Sequence, residues 1–133
     1  MKIELPINDL QTLINKKSQE VTLESMEQDK IRVRIRKFKT NTLLEITIVD
    51  KNSTSVLLEY RIVDGIMARL FNVLGILKSF IDRMPFVESG GSRNEYIVHP
   101  FRIPGLESVQ KEFLIRDISA ENNNLVIVVK PVI

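Results

Sequence analysis

The sequence predicts an α+β fold in which a curved, mainly antiparallel sheet packs on one long apolar helix, with a short helix near the N-terminus. Three observations predict it: segments in which apolar and polar residues alternate, one segment that is apolar almost all round at helical spacing, and turn-forming residues between them. The predicted order is β-α-β-β-β-β-α-β-β-β. Because no linker divides the 133 residues, we expect residues 1–133 to form a single domain.

The N-terminal end is predicted to form a short strand at Lys2–Leu5 and a helix over about Asp9–Lys17. Asn8 is expected to cap this helix, with Gln11 three residues later in the reciprocal capping position. The helix is predicted from an apolar stripe at helical spacing, which consists of Ile7, Leu10, Leu13 and Ile14.

A meander of strands follows, because from Val21 to Ile62 apolar residues recur at every second position. Turns are predicted at Thr40–Asn41 and at Asp50–Ser53. The residues expected to face the core are Val21, Leu23, Ile31, Val33, Ile35, Leu44, Ile46, Ile48, Val56, Leu58, Tyr60 and Ile62.

The registers of this meander determine where Glu45 lies. A two-residue turn at Thr40–Asn41 would place Arg36 opposite Glu45. In the next hairpin, avoidance of a contact between Glu45 and Glu59 selects the register that places Arg61 opposite Glu45. Glu45 is therefore expected on the exposed face, where its removal should change stability by less than about 1 kcal/mol.

A long helix is predicted from Asp64–Gly65 to about Arg83, where Pro85 stops it. Its residues between Ile66 and Ile81 are apolar around most of the circumference, which predicts burial on most sides. Two interpretations are open: a core helix, or the wall of an apolar groove for a lipid-like ligand or a protein partner. The candidate groove residues are Met67, Leu70, Phe71, Leu74, Leu77 and Phe80.

The C-terminal part is predicted to contain a flexible loop and three strands, and the chain as a whole shows no internal repeat. The loop is placed at Glu88–Asn94, and the last turn at Asn122–Asn124. The predicted strands are Tyr96–Ile103, which Pro100 interrupts, Val109–Ile118 and Leu125–Val132.

Charge is concentrated in one segment, although the net charge is only +2. On the predicted strand, Arg32, Arg34 and Arg36 alternate with apolar residues and share a face. This face either binds an anion, such as the phosphates of nucleic acid or an anionic lipid headgroup, or is a solvated surface paired with acids. Nucleic acid is an unlikely partner, because the net charge is small and no aromatic side chain is interleaved with the arginines.

The sequence contains little that indicates a catalytic site. The absence of cysteine excludes disulfides, thiol nucleophiles and thiolate metal sites. The single histidine, His99, has no nucleophile or carboxylate that the sequence marks as its partner, so we expect it to be dispensable. We therefore predict no catalytic residue, metal or cofactor, and an enzyme built from dispersed carboxylates around His99 ranks last.

The location is predicted to be cytoplasmic, unless a leader has been removed. The first residues lack the apolar run of a secretory signal. The apolar segment Ile66–Ile81 has about 16 residues, whereas a spanning helix needs about 20, so the chain is not expected to span a membrane. No specific partner or oligomeric state is predicted.

The chain resembles the tubular lipid-binding superfamily at both ends. The segment Leu5–Lys17 is similar to the short first helix of those domains, and Phe113–Ile118 with Leu125–Val129 is similar to their closing strands. A meander, a long apolar helix and a final hairpin lie between, in the order of that family. The resemblance implies a non-enzymatic domain that binds an apolar ligand.

Overall fold

The computed structural model describes residues 1–16, 18–37, 40–64, 84–91, 94–102, 108 and 112–132. The fold of this part is α+β, with antiparallel strands in two sheets and one α-helix. The elements are β1 (Lys2–Pro6), α1 (Ile7–Asn15), β2 (Val21–Glu27), β3 (Lys30–Lys37), β4 (Thr40–Lys51), β5 (Val56–Asp64), β6 (Val87–Ser89), β7 (Glu95–Val98), a 3₁₀ turn (Pro100–Arg102), β8 (Phe113–Glu121) and β9 (Asn124–Pro131).

The two sheets contain six strands in the order β2-β3-β4-β5-β7-β6 and three in the order β1-β9-β8. The single sheet expected from the sequence is therefore divided, and the first and last strands of the chain are neighbours. The apolar faces of the sheets pack together, with Val56 of β5 in one buried cluster with Phe101, Ile115 and Ile118. A second cluster around Val33, Ile35 and Leu44 lies under the other half of the larger sheet.

The predicted long helix lies outside the described residues, and so do all six candidate groove residues from Met67 to Phe80. Within the described part of the chain, no helix has both the length and the apolar character needed to cross a membrane.

The short helix begins at Ile7, so the prediction of Asn8 as its cap is wrong. Pro6 is the last residue of β1 and occupies the cap position itself, and no side chain caps this helix. The reason is that β1 runs directly into α1, where the Ile7 amide donates to the Asn123 carbonyl (2.9 Å). Asn8 therefore already lies inside the first helical turn.

Gln11 acts on the sheet and not as a capping partner. Its amide nitrogen donates to the Val21 carbonyl (2.8 Å), and its amide oxygen accepts from the Leu23 N–H (2.5 Å). Both contacts fall on β2, an edge strand of the larger sheet. The side chain thus occupies the backbone groups that an additional strand would otherwise pair with.

The predicted register of β3 with β4 is wrong, whereas that of β4 with β5 is confirmed at Glu45. Lys37 pairs with Thr40, so Arg32 and not Arg36 faces Glu45. Arg61 lies opposite Glu45 on the other side, as predicted. The shift between the expected and observed registers is an even number of residues. It therefore leaves the same residues on the apolar face.

Three C-terminal boundaries differ from the prediction. The short strand β6 pairs with β7 where a loop was expected from Glu88 onward. β7 ends at Val98, because Pro100 lacks the N–H that a ladder needs, and a 3₁₀ turn follows it. The strand expected at Val109–Ile118 instead runs over Phe113–Glu121, with residues 109–111 outside the described part.

The hairpins β2–β3 and β8–β9 have the same tight turn. Their turn residues all have positive φ, with 52° and 61° at Gln28 and Asp29 and 51° and 58° at Asn122 and Asn123. Positive φ at both central residues is the requirement of the type I′ turn that matches the twist of two paired strands. Asn and Asp tolerate this conformation better than most residues.

These two turns bind each other's strands reciprocally, and we call the contact the hairpin interlock. Asp29 donates its N–H to the Ala120 carbonyl (2.9 Å), and its Oδ1 accepts from the Ala120 N–H (3.0 Å). Asn123 does the same with Met26, at 2.8 Å and 2.9 Å. Met26 and Ala120 are completely buried, so the interlock satisfies backbone groups that water cannot reach.

The two turns of the interlock lie in segments with a similar local pattern, although the sequence contains no internal repeat of greater length. Residues 25–31 read Ser-Met-Glu-Gln-Asp-Lys-Ile, and residues 119–125 read Ser-Ala-Glu-Asn-Asn-Asn-Leu. Only the serine and the glutamate are identical, which is too little to notice in the sequence alone. The correspondence becomes clear because Asp29 and Asn123 make equivalent hydrogen bonds.

Candidate functional site

An apolar cavity of about 160 Å³ lies on the inward face of the larger sheet. It is positioned by four neighbouring strands, β4, β5, β7 and β6, whose alternate residues point to this face. The described residues that line it are Leu44, Ile46, Leu58, Tyr60, Val87, Tyr96 and Val98. The cavity is therefore bounded by aliphatic and aromatic side chains without a charged group among them.

Two tyrosines give the cavity a flat aromatic wall. The rings of Tyr60 and Tyr96 are stacked, with centroids 5.7 Å apart and planes inclined by 20°. They come from the adjacent strands β5 and β7, where Leu58 is the residue directly opposite Tyr96. Stacked rings expose a broad apolar surface and still carry a hydroxyl at the edge, a combination that is common in binding surfaces.

Sequence reasoning placed the apolar site elsewhere, on residues 67–80. The signal for the observed cavity was present in part, because Leu44, Ile46, Leu58 and Tyr60 were all predicted to face inward. What was missing is β6, since a strand of three residues has no detectable pattern of its own. Its Val87 lines the cavity because β6 pairs with β7, where Val87 lies opposite Val98.

The structure does not bring Arg32, Arg34 and Arg36 together as one site. Arg34 is engaged on its own strand pair: its guanidinium binds the Glu24 carboxylate and donates to Asn41 Oδ1 (2.6 Å). The same contact lowers the pKa of Glu24, mainly through the hydrogen bond from Arg34. Arg36 is exposed at the end of the strand.

Arg32 belongs to a different group, which we call the Glu45 cluster: Glu45, Lys30, Arg32 and Arg61. The Glu45 carboxylate accepts from Arg61 Nε at 3.0 Å and lies 3.3 Å from Arg32 Nη2 and 3.9 Å from Lys30 Nζ. The hydrogen bond from Arg61 lowers the pKa of Glu45 against the opposing effect of burial, and the charges of Arg61, Lys30 and Arg32 lower it further. The carboxylate therefore stays ionised.

The expectation that Glu45 is exposed is wrong, since its side chain is only 3% accessible. Lys30, Arg32 and Arg61 remain 48%, 45% and 62% accessible. Long basic side chains lay their aliphatic stems over a neighbour and keep the charged end in water. The carboxylate thus lies beneath its three cations, and a strand pattern alone does not predict this arrangement.

His99 has a carboxylate partner that the sequence did not mark. Its Nε2 lies 2.8 Å from Glu88 Oε1; Glu88 is in β6, and His99 directly follows β7. A histidine–carboxylate pair can orient an imidazole for proton transfer, but such chemistry also needs a reacting group within hydrogen-bond reach. The prediction that His99 is dispensable stays a prediction.

No group of three or more potential metal ligands occurs within the described part of the chain. No protein-family model matches the chain, and no curated protein or solved structure matches it significantly.

Proposed function

We propose that this chain is a non-enzymatic binding domain that takes up a small apolar ligand in the cavity of the larger sheet. The observation that supports the proposal is the lining, which is aliphatic apart from the stacked rings of Tyr60 and Tyr96. An apolar solute that enters this cavity buries its surface against the aliphatic and aromatic lining, and this burial is the source of its binding free energy.

The volume limits the size of the ligand. Pockets for drug-sized molecules have about 300–1,000 Å³, whereas a dry apolar cavity of about 150 Å³ accommodates benzene. The cavity of about 160 Å³ therefore suits a single ring or a short stretch of an acyl chain. A larger lipid would place only part of its length there.

The proposal agrees with what the resemblance to the tubular lipid-binding superfamily implies, but it uses other residues. The groove predicted on residues 67–80 stays a prediction, as does the cytoplasmic location. The cavity defined by Leu44, Leu58 and the two tyrosines gives the proposal a site that can be altered residue by residue.

A cavity-filling variant tests the proposal. Val87→Phe on the short edge strand β6 should occupy the cavity with the new ring. We expect the wild-type protein to bind indole or a medium-chain fatty acid, with shifts in the methyl resonances of Leu44 and Leu58, and Val87→Phe to lose both shifts. The matched control is Val49→Phe, at a residue that is 49% exposed, which should bind like the wild type.

Two outcomes would contradict the proposal. Equal binding by Val87→Phe and Val49→Phe would show that uptake occurs outside the cavity. Nuclear Overhauser contacts from Leu44 or Leu58 to residues 66–81 in the ligand-free protein would show that the chain itself fills the space. Native mass spectrometry of the purified protein would add the identity of any co-purified ligand.

The alternative function, anion binding by Arg32, Arg34 and Arg36 together, receives less support. Arg34 is neutralised by Glu24 and held by Asn41, so it is not available as that alternative requires.

A further inference from the structure

The hairpin interlock makes a comparison possible between the outward faces of two equivalent strands. When Asp29 is aligned with Asn123, the inward residues match: Ile31 with Leu125, Val33 with Ile127 and Ile35 with Val129. The outward residues do not match. Lys30, Arg32 and Arg34 correspond to Asn124, Val126 and Val128.

The fold thus does not require cations at these positions, because the second hairpin makes the same interlock without them. The core-facing residues are constrained by packing and remain aliphatic in both hairpins. Outward residues are less constrained by packing: Arg32 is exposed, and Val126 and Val128 are half-buried. A concentration of cations on only one of two equivalent faces therefore needs another explanation than the hairpin itself.

The neighbouring strands continue the comparison at two glutamates. Arg32 pairs with Glu45, and its counterpart Val126 pairs with Glu4. Glu4 is 53% accessible and binds one cation, Lys2, at 3.1 Å. Glu45 is 3% accessible and lies under three cations. The equivalent positions thus carry an ordinary surface pair in one sheet and a covered carboxylate in the other.

The charges of the Glu45 cluster do not cancel. One carboxylate faces three cations, which leaves two positive charges in excess. Since the carboxylate is covered, an approaching solute meets the cations first. The acid nearest to Lys30 across β2 is Glu27, whose carboxylate already accepts from the Asn122 N–H (3.2 Å). On β5, Glu59 lies opposite Thr47, two pairs along from Arg61 and on the same face, and Thr47 is also the residue opposite Lys30.

We propose that the Glu45 cluster binds a phosphate group, held between Arg32 and Arg61 with Lys30 at its side. The site goes beyond the apolar cavity and is separate from it, because Glu45 points to the opposite face of β4 from Leu44 and Ile46. Arg36 lies on the same face but outside the cluster.

The geometry favours a phosphate over a smaller anion. Arg32 and Arg61 contact different oxygens of the same carboxylate, so their guanidinium groups are held close together. Each contacts Glu45 through one nitrogen, and both side chains remain exposed, so their other N–H groups are accessible to a solute. Planar guanidinium groups bind phosphate oxygens through paired hydrogen bonds, with Lys30 adding a point charge. The buried carboxylate acts as the positioning group that holds the cations ready.

The experiment uses the full chain and inorganic pyrophosphate as the probe, followed by backbone amide shifts. We expect shifts at Arg32, Glu45 and Arg61 that weaken steeply with added salt, as contacts to phosphate do. Val126 and Glu4 provide an internal control on the equivalent face and should not shift. Arg61→Gln should weaken binding about tenfold, corresponding to about 1.4 kcal/mol.

The matched control is Arg36→Gln, which removes the same charge from the same face and should change the affinity less than about twofold. An equal loss in both variants would mean diffuse attraction to a basic surface and would overturn the proposal. So would shifts of equal size at Val126, or no shift at all. Should Arg32→Gln fail to fold, Arg61→Gln decides alone, because that side chain is the most exposed of the three.

Vesicles distinguish the source of the phosphate. Phosphatidylcholine vesicles with and without phosphatidic acid are compared for binding of wild type and Arg61→Gln. Binding that needs phosphatidic acid and is lost in Arg61→Gln identifies a lipid headgroup. Pyrophosphate binding without vesicle binding identifies a free phosphate compound. Failure of both arms overturns the phosphate site, while the result for indole and Val87→Phe still decides the apolar function separately.

Discussion

The hairpins β2–β3 and β8–β9 differ on the sheet face turned away from the core and agree in the turns that hold the two sheets together. Asp29 and Asn123 make equivalent hydrogen bonds to Ala120 and Met26, and each lies in the same left-handed turn. On their outward faces, by contrast, one hairpin carries arginines and the other valines. The difference indicates that hydrogen bonding sets the residue type in the turns, whereas the outward positions of the same strands can hold either cations or aliphatic side chains.

The largest difference in stability between equivalent positions of the two sheets is expected at Leu44 and Ile3, which lie opposite Val33 and Ile127. Leu44 is 2% exposed and Ile3 is 39% exposed. Leu44→Ala should lower the free energy of unfolding by about 2–5 kcal/mol, because it leaves a cavity in the core. Ile3→Ala should cost less than about 1 kcal/mol. Chemical denaturation measures both, and similar losses would mean that the two sheets are buried alike.

The hairpin interlock is tested by removing its two side-chain acceptors. Asp29→Ala and Asn123→Ala should each cost about 2–4 kcal/mol, since each leaves a buried N–H without an acceptor and places alanine in the left-handed region. Asp29→Asn and Asn123→Asp keep both the acceptor and the turn preference, so they serve as matched controls. Thermal unfolding of the four variants measures the difference.

Unequal losses of stability in the two alanine variants would show that the two contacts of the interlock are not equivalent. If Asp29→Ala were costly and Asn123→Ala neutral, the β8–β9 turn would be held by its own strands and the reciprocal description would be incorrect. Asn123→Gly separates the two contributions, because glycine removes the acceptor and accepts the positive φ of 58° without strain.

Glu45 and Glu4 provide a smaller contrast. Glu45→Ala should cost about 1–3 kcal/mol, since it leaves three converging cations without their common acceptor. The loss of stability in Glu45→Ala is limited because the three cations are still exposed to water. Glu4→Ala should cost less than about 0.5 kcal/mol, as is typical of an exposed pair. Equal losses of stability in Glu45→Ala and Glu4→Ala would show that the buried position of the Glu45 carboxylate does not contribute to stability.

The lowered pKa of Glu45 predicts how the free energy of unfolding depends on pH. Because the pKa of Glu45 is lowered in the folded protein from its ordinary value of 4.5, its contribution is present above pH 4.5. That contribution is lost as the pH falls through the lower folded value. The free energy of unfolding of Glu45→Gln should therefore fall less steeply below pH 4.5 than that of the wild type, and parallel curves would contradict the assignment.

Much of the inward face could be predicted from the sequence, and its registers only in part. Alternation identified Val33, Leu44 and Ile46 as core-facing whatever the pairing, because an even shift of register preserves the face. The contact of Glu45 with Arg61 followed from avoidance of like charges. The sequence could not predict that Arg32, and not Arg36, lies opposite Glu45. Both arginines are on the same face, and only the position of the turn decides which one pairs with Glu45.

By itself, the sequence determined the α+β class, the alternating strands and the residues that face the core, because these depend on residues no more than a few positions apart in the chain. Only the tertiary structure decided that β1 pairs with β9, that Asp29 and Asn123 bind each other's strands, and that Glu45 is covered. Hydrogen bonds between segments far apart in the chain have no local pattern. They form because two buried backbone groups need partners, and the fold supplies those partners from the other sheet.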